Sequence, residues 1–260
     1  VVMFFYIISA FNDLKIEAGK TIKLMLTPDE ESGSRHSREY LTEYCKNAGA
    51  VVIPEPCGPN GEVKIRRKGI AFINAIITGK PAHSGIEPHA GADANRALLE
   101  VFQKIEAVAT KYPDIYFNPG VIAGGVKVNV VSPESFLDGE MRSFSNENLE
   151  KALDEIKNLE ETGNIDIKIF TEINRPAFEF TDENRNLYNN AKAFADILSY
   201  PLRTYETGGS SDGALLSPLG IPVIDGMGLK GGGAHTNDEY VVLSDFPKRA
   251  SVIAALLADL

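Results

Sequence analysis

Residues 66–174 interrupt one folding pattern with another, and this interruption constrains the chain more than any other feature. Up to about residue 65 helices and short strands alternate. An apolar helix over 1–13 is followed by the β-prone run TIKLMLT at 21–27. Next come a helix over 36–47, with Tyr40, Leu41, Tyr44 and Cys45 on one stripe, and the strand AVVI at 50–53. The loop PEPCGPNGE is irregular by its Pro and Gly. Near residue 66 the character changes. A long strand at 69–79, an amphipathic helix over 91–110, strands near 115–124 and 135–143, a charged helix at 146–161 and the strand IDIKIFTEI follow. That order, β-α-β-β-α-β, is the split βαβ sandwich. From Arg175 the α/β pattern resumes with a helix over 183–198, the Gly-rich TGGSSDGALLS, a strand at 221–224, GLKGGGAH and a helix over 245–259. The economical expectation is one α/β domain (1–65 with 175–260) interrupted by an inserted α+β domain (66–174).

With 26 basic and 36 acidic residues the formal charge is −10, which argues against a nucleic-acid or anionic-membrane partner. Two cysteines, Cys45 and Cys57, are too few for a disulfide framework, so a reducing cytoplasm is the expected compartment. The opening VVMFFYIISAF has no basic residue before it and no small-residue cleavage site after it, and it is shorter than a membrane span. It reads as a buried helix. Because the sequence begins inside that helix, at Val1, an upstream segment is expected to be missing.

The stretch TPDEESGSRHSREYL raises the chemical question. Asp29, Glu30 and Glu31 are consecutive anions that solvent, a helix N-terminus or a metal ion must compensate. Ligands in open α/β sheets gather beyond the carboxyl ends of strands, and adjacent carboxylates there can divide labour. One holds a cation, and its neighbour takes a proton from an activated water. Glu55 follows another apolar strand and is held between Pro54 and Pro56, so two strand ends each deliver an acid.

Of four histidines, His36 reads as a surface residue, and His89 carries no strong signal. His83 sits in the small-residue turn KPAHSG just after a long strand. His235 follows three glycines, in a loop whose backbone can approach another group closely, and imidazole is a common zinc ligand. GLKGGG could instead cradle a phosphate, but neither GK[ST] nor a strand–GxGxxG–helix order accompanies it.

Taken together, TPDEESGSRHSREYL, VIPEP, GKPAHSGIEPHAGADAN, KVNVVSPESFLDGEMR, RPAFEF, TGGSSDGALLSPLGIPVIDGMG and GGAHTNDEYV resemble, in order and spacing, the zinc-dependent exopeptidase and deacylase family. That family includes glutamate carboxypeptidases, aminoacylases, acetylornithine deacetylase and succinyl-diaminopimelate desuccinylase. RPAFEF and the paired glycines of TGGSSDG lean towards the glutamate carboxypeptidase branch. The resemblance implies a mixed-sheet catalytic domain with an inserted ferredoxin-like dimerisation domain. It implies a homodimer formed through 66–174, and a metal-dependent hydrolase acting on a peptide or N-acyl amino acid beside a free carboxylate. By position it makes Glu30 the general base, Glu31 and His235 ligands of one zinc, and Glu55 a ligand of the other. His83 would reach the partner subunit's site and steady the oxyanion. Asn129 and Arg142 would bind the substrate's carboxylate and carbonyl groups, with Gly208 and Gly209 lining the pocket. Arg142 also shares a strand face with Asp138 and Glu140, which could equally be its structural partners.

The resemblance implies two zinc ions per complete chain, with cobalt or manganese as alternatives. The family's H-x-D motif and metal-bridging Asp have no counterpart here, so Glu31, Glu55 and His235 supply about half of the expected shell. The corresponding expectations are an N-terminal part lacking from the catalytic domain, or else a non-catalytic relative that binds amino-acid-like anions. The sequence as given should then hold no intact two-zinc centre.

Overall fold

The computed structural model describes residues 1–159 and 165–260. Helix α1 (Val2–Leu14) buries Met3, Ile7 and Phe11, one residue per turn along a single stripe, and leaves Phe5 and Tyr6 exposed. It ends where Lys15 turns left-handed (φ 53°), so that the N–H of Ile16 bonds the carbonyl of Phe11 at 2.9 Å. Helix α2 (Arg38–Cys45), strand β1 (Val51–Ile53) and strand β2 (Val63–Arg67) follow.

The chain then builds a compact unit from Lys68 to Ala177. It contains β3 (Gly69–Thr78), α3 (Ala94–Thr110), β4 (Tyr116–Gly124), β5 (Glu134–Ser143), α4 (Asn146–Lys157) and β6 (Asp166–Arg175). The expected helix at 146–161 thus ends at Lys157, and residues 160 and 161 lie outside the described residues. The sheet order is β4-β5-β3-β6, antiparallel throughout. Strand β3 alternates strictly: Ala71, Ile73, Ala75 and Ile77 face a core shared with Leu98, Val101 and Ile105 of α3 and Leu149, Leu153 and Ile156 of α4. Both helices start on capping side chains, Asp93 accepting from the N–H groups of Asn95 and Arg96, and Ser145 from that of Asn148.

The remaining elements are α5 (Asp182–Ile197), β7 (Thr204–Thr207), α6 (Asp212–Leu216), β8 (Val223–Asp225), β9 (Gly231–Gly232), β10 (Tyr240–Val241) and α7 (Phe246–Asp259). With residues 1–67 they form the second unit, Val1–Arg67 plus Phe178–Leu260. Its sheet has the order β1-β8-β2-β7 and is mixed: β1 runs parallel to β8, β2 antiparallel to β8, and β2 parallel to β7. Alternate residues face opposite layers. Val52 and Ile224 look towards α1, α5 and α7, whereas Val51, Ile53 and Val223 look towards α2 and α6. Covering both faces explains why β1 and the run leading into β8 read as continuous apolar stretches.

The strand assignments differ from the sequence expectation in two respects. Residues 21–27 form no strand: Leu24, Met25 and Leu26 are exposed, and none of the backbone groups in this run has a hydrogen-bond partner among the described residues. A β-prone run becomes a strand only with a neighbouring ladder, and β1, at the sheet edge, pairs with β8 alone. Strands β2 and β7 escape sequence reading because VKIRR and TYET carry little apolar pattern. Among the described residues no helix is long and apolar enough to cross a membrane, and both cysteines are free.

Candidate active site

The three adjacent acids are compensated separately. Asp29 turns inward, where its Oδ2 accepts the N–H groups of His36 (2.8 Å) and Ser37 (3.3 Å) at the start of α2. Hydrogen bonding to Ser37 and to the His36 backbone holds its carboxyl below the usual range. A helix N-terminus is therefore what stabilises the first acid. Glu30 and Glu31 open a single 3-10 turn, Glu30–Ser32, closed by left-handed Gly33. Glu31 is exposed and lies 4.0 Å from His235 Nδ1.

His235 is presented by a short hairpin, β9 paired antiparallel with β10, and is itself left-handed (φ 63°). The glycines before it serve the hairpin. A side chain on Gly231 would strike the Tyr240 carbonyl, and one on Gly233 the Asp238 carbonyl at 2.7 Å. The close approach anticipated from KGGGAH is thus made to the hairpin's own return strand.

Glu55 is half-buried beyond the end of β1, and the loop after β8 seats it. Gly228 donates its N–H to the Glu55 carbonyl (2.8 Å), and Met227 donates to that of Ile53 (3.0 Å). Burial first, and the nearby Asp225 carboxylate second, push the Glu55 carboxyl above its usual range, while Arg67 and Lys64 pull it down. Glu31 adds a smaller upward push, so the two acids sense each other. A cation between them would relieve this crowding. Glu30, Glu55 and Asp212 line one cavity of about 830 Å³, whose remaining walls are mostly apolar.

Gly208 and Gly209 continue directly from β7. A side chain on Gly208 would meet nothing within 4 Å, so neither crowding nor a positive φ dictates these glycines. Their loop is pinned by Arg67, whose Nη1 donates to the carbonyls of Gly209 and Ser210, each at 3.2 Å. The same guanidinium grips fully buried Asp225 with two bonds, Nε to Oδ2 at 2.7 Å and Nη2 to Oδ1 at 2.9 Å. Sequence reading missed Arg67, Asp225 and Asp212. The available signal was an aspartate ending the apolar run IPVID, because a carboxylate there must be paired.

The other expected residues belong to the Lys68–Ala177 unit. His83 is exposed, and its Nδ1 accepts the Gly85 N–H at 3.1 Å, which leaves Nε2 to carry the proton of the neutral ring. Asn129 lies beside it: Ser84 donates to the Asn129 carbonyl (3.0 Å), and His83 bridges Val130. Arg142 does not join them. It sits eight residues along β5 from Glu134, near Gly69 and Arg175 where the chain enters and leaves this unit. That is about 27 Å of strand from the His83 end. Its guanidinium makes two bonds to Glu140, at 2.9 and 3.2 Å, so the structural pairing left open by the sequence is realised here.

Carboxylate and imidazole are suitable donors for a zinc-like divalent ion, and Glu31 with His235 makes the nearest such pair. Among the described residues, however, no three His, Cys, Asp or Glu side chains converge. The donor chemistry of the Glu31–His235 pair therefore fits a divalent ion.

Comparison with known proteins places this geometry. Carboxypeptidase G2 of Pseudomonas sp. (strain RS-16) is 30% identical over 246 residues, covering 92% of this chain and 59% of that protein. Succinyl-diaminopimelate desuccinylase of Psychrobacter sp. (strain PRwf-1) is 25% identical over 265 residues, covering 92% of this chain and 63% of that protein. The chain thus spans about three-fifths of the length of these two relatives. The crystal structure of aminopeptidase PepT from Bacillus cereus ATCC 10987 superposes with a TM-score of 0.80 at 25% identity, covering 99% of this chain and 69% of that one. The model of peptidase family M20/M25/M40 matches residues 1–259, and with the acid loop, the Glu55 turn and the His235 hairpin all inside that match, the chain belongs to this family.

Proposed function

We propose that this polypeptide acts as a divalent-metal-dependent hydrolase that cleaves an amide bond next to a free carboxylate, as in a C-terminal glutamate or an N-acyl amino acid. The observation that carries the reading is the juxtaposition of Glu30 and Glu31 with His235: an acid and an imidazole 4.0 Å apart, with a second acid immediately beside them in one short turn. Similarity to a carboxypeptidase and to a desuccinylase supports the substrate class. Glu31 and His235 would hold one ion and Glu55 would serve a second, zinc being favoured by the donor set. Such an ion supplies Lewis acidity, lowering the pKa of water and polarising the scissile carbonyl.

The chain's own residues do the rest. Glu30, half-buried beside the donor pair, takes a proton from the attacking water and returns it to the leaving amine. The open loop at Gly208–Gly209 leaves room for the scissile group. Arg142, with its planar fork, recognises a carboxylate once Glu140 releases it. The Lys68–Ala177 unit is read as a dimerisation domain. Exposed His83 is read as serving a partner subunit's site.

Paired substitutions test the division of labour in the native protein. Glu30→Gln is expected to abolish turnover with little change in metal content, whereas Glu31→Gln should lose metal. Equal metal loss in both variants would overturn the roles assigned to the pair.

A further inference from the structure

The acidic turn does not hold its shape alone. Both of its ends are tied to one carboxylate from a distant part of the chain. Thr27, just before the turn, donates its hydroxyl to Asp212 Oδ2 at 3.0 Å. Ser34, just after it, donates its hydroxyl to Asp212 Oδ1. Ser34 is an unusual residue for its place. It is fully buried and left-handed (φ 52°), a conformation that favours glycine. A serine tolerated there needs a compensating bond, and the bond to Asp212 provides one.

Asp212 is in turn fixed from behind. It is the first residue of α6, whose cap is Ser211. The Ser211 hydroxyl accepts the Gly213 N–H at 3.2 Å and donates to Asp225, the carboxylate gripped by Arg67. One connected strap therefore runs from the Thr27–Ser34 clasp through Asp212, Ser211 and Asp225 to Arg67, and from Arg67 to the carbonyls of Gly209 and Ser210.

We propose that Asp212 is a positioning residue that clasps the two ends of the Glu30–Glu31 turn and registers it against the Gly208–Ser211 loop. The proposal rests on the reading of Glu30 as base and Glu31 as ligand for its consequence in catalysis, but the clasp itself does not depend on it. Misplacing a base by about 1 Å can cost roughly a hundredfold in rate. A residue that acts through the turn, rather than by binding substrate, should on its loss lower kcat while leaving KM nearly unchanged.

The decisive readout is hydrogen exchange at the amides of Ser32, Gly33, Ser34, His36 and Ser37 in the native protein. All five are bonded to Asp29 or Glu30 within the clasped segment. Asp212→Ala should speed their exchange roughly ten- to hundredfold, the loss expected for hydrogen bonds to a charged group. Asp212→Asn keeps one acceptor and gains a donor that a hydroxyl can receive, so it should restore most of the protection. Ser34→Gly keeps the left-handed backbone, removes the hydroxyl and carries little risk of misfolding. It should speed exchange on its own, yet add little to Asp212→Ala. Unchanged exchange in Asp212→Ala, or in Ser34→Gly should the alanine variant not fold, overturns the clasp. Faster exchange with kcat unchanged in an active protein overturns its positioning role. If the parent protein hydrolyses no amide at all, the functional reading fails, and exchange still decides the clasp.

Discussion

Replacing Arg67 with alanine tests the network that holds the candidate site together. Arg67 is 3% exposed and Asp225 fully buried, so neither charge is solvated by water. Removing Arg67 leaves the Asp225 carboxylate to the Ser211 hydroxyl and the Gly226 N–H, and takes a donor from the carbonyls of Gly209 and Ser210. Breaking a buried pair from one side costs about 3–5 kcal/mol, because the surviving charge stays desolvated. Against a total stability of about 5–15 kcal/mol this is a large fraction. In a unit of about 150 residues it corresponds to a fall in Tm of roughly 6–20 °C. Removing both charges with Arg67→Met and Asp225→Asn should recover much of the loss, since no lone buried ion remains. Urea unfolding of the two single variants and the double variant gives the coupling energy directly. A cost for Arg67→Ala below about 1 kcal/mol, or single-variant effects that simply add, would refute the claim that this pair is the keystone of the loop.

Asp114 gives a pH prediction. Burial alone would raise its carboxyl, but hydrogen bonds from Ser143, Asn148 and the Phe144 N–H outweigh it, and the net shift is downward. A carboxyl lowered by folding binds fewer protons in the folded chain than in the unfolded one. Its stabilisation is therefore present above the unfolded value and lost as pH falls through the folded one. Asp114→Asn should weaken the parent at pH 7 and flatten its acid unfolding limb; identical pH dependence in urea titrations of both proteins would count against this. Tyr200 donates its hydroxyl to buried Asp245 at 2.8 Å, so Tyr200→Phe should cost about 1.5–3 kcal/mol in chemical unfolding. For action across subunits, a His83→Ala protein mixed with a Glu30→Gln protein should regain activity through hybrid dimers. No recovery despite confirmed subunit exchange would exclude it.

How much of this was legible beforehand depends on whether the signal was local. The helices read well because their apolar stripes and caps are local, as in α3 behind Asp93 and α5 behind Thr181. The β-α-β-β-α-β order of the inserted segment came from the same periodicity. Strand pairing was less visible: VKIRR is a central strand because β8 and β7 lie on either side of it, while TIKLMLT, a better strand by composition, has no ladder. At the site, Glu30, Glu31, Glu55 and His235 stood out as reactive side chains at turns. Asp212, Asp225 and Arg67 did not, because what marks them is partnership across up to 185 positions of sequence, and for Asp225 and Arg67 burial as well. The inward turn of Asp29 was equally hidden, since its partners are backbone N–H groups that any residues could have offered.

The central claim is that carboxylates of the acidic turn, aided by a divalent ion, hydrolyse an amide beside a free carboxylate. The most direct measurement compares hydrolysis of a peptide ending in a free glutamate with the same peptide amidated at its C-terminus. The native protein is assayed before chelation, after chelation and after zinc is restored. The account predicts cleavage of the free acid well above that of the amide, loss of both on chelation and recovery with zinc. Equal cleavage of the two peptides, or undiminished cleavage by the chelated protein, would contradict it.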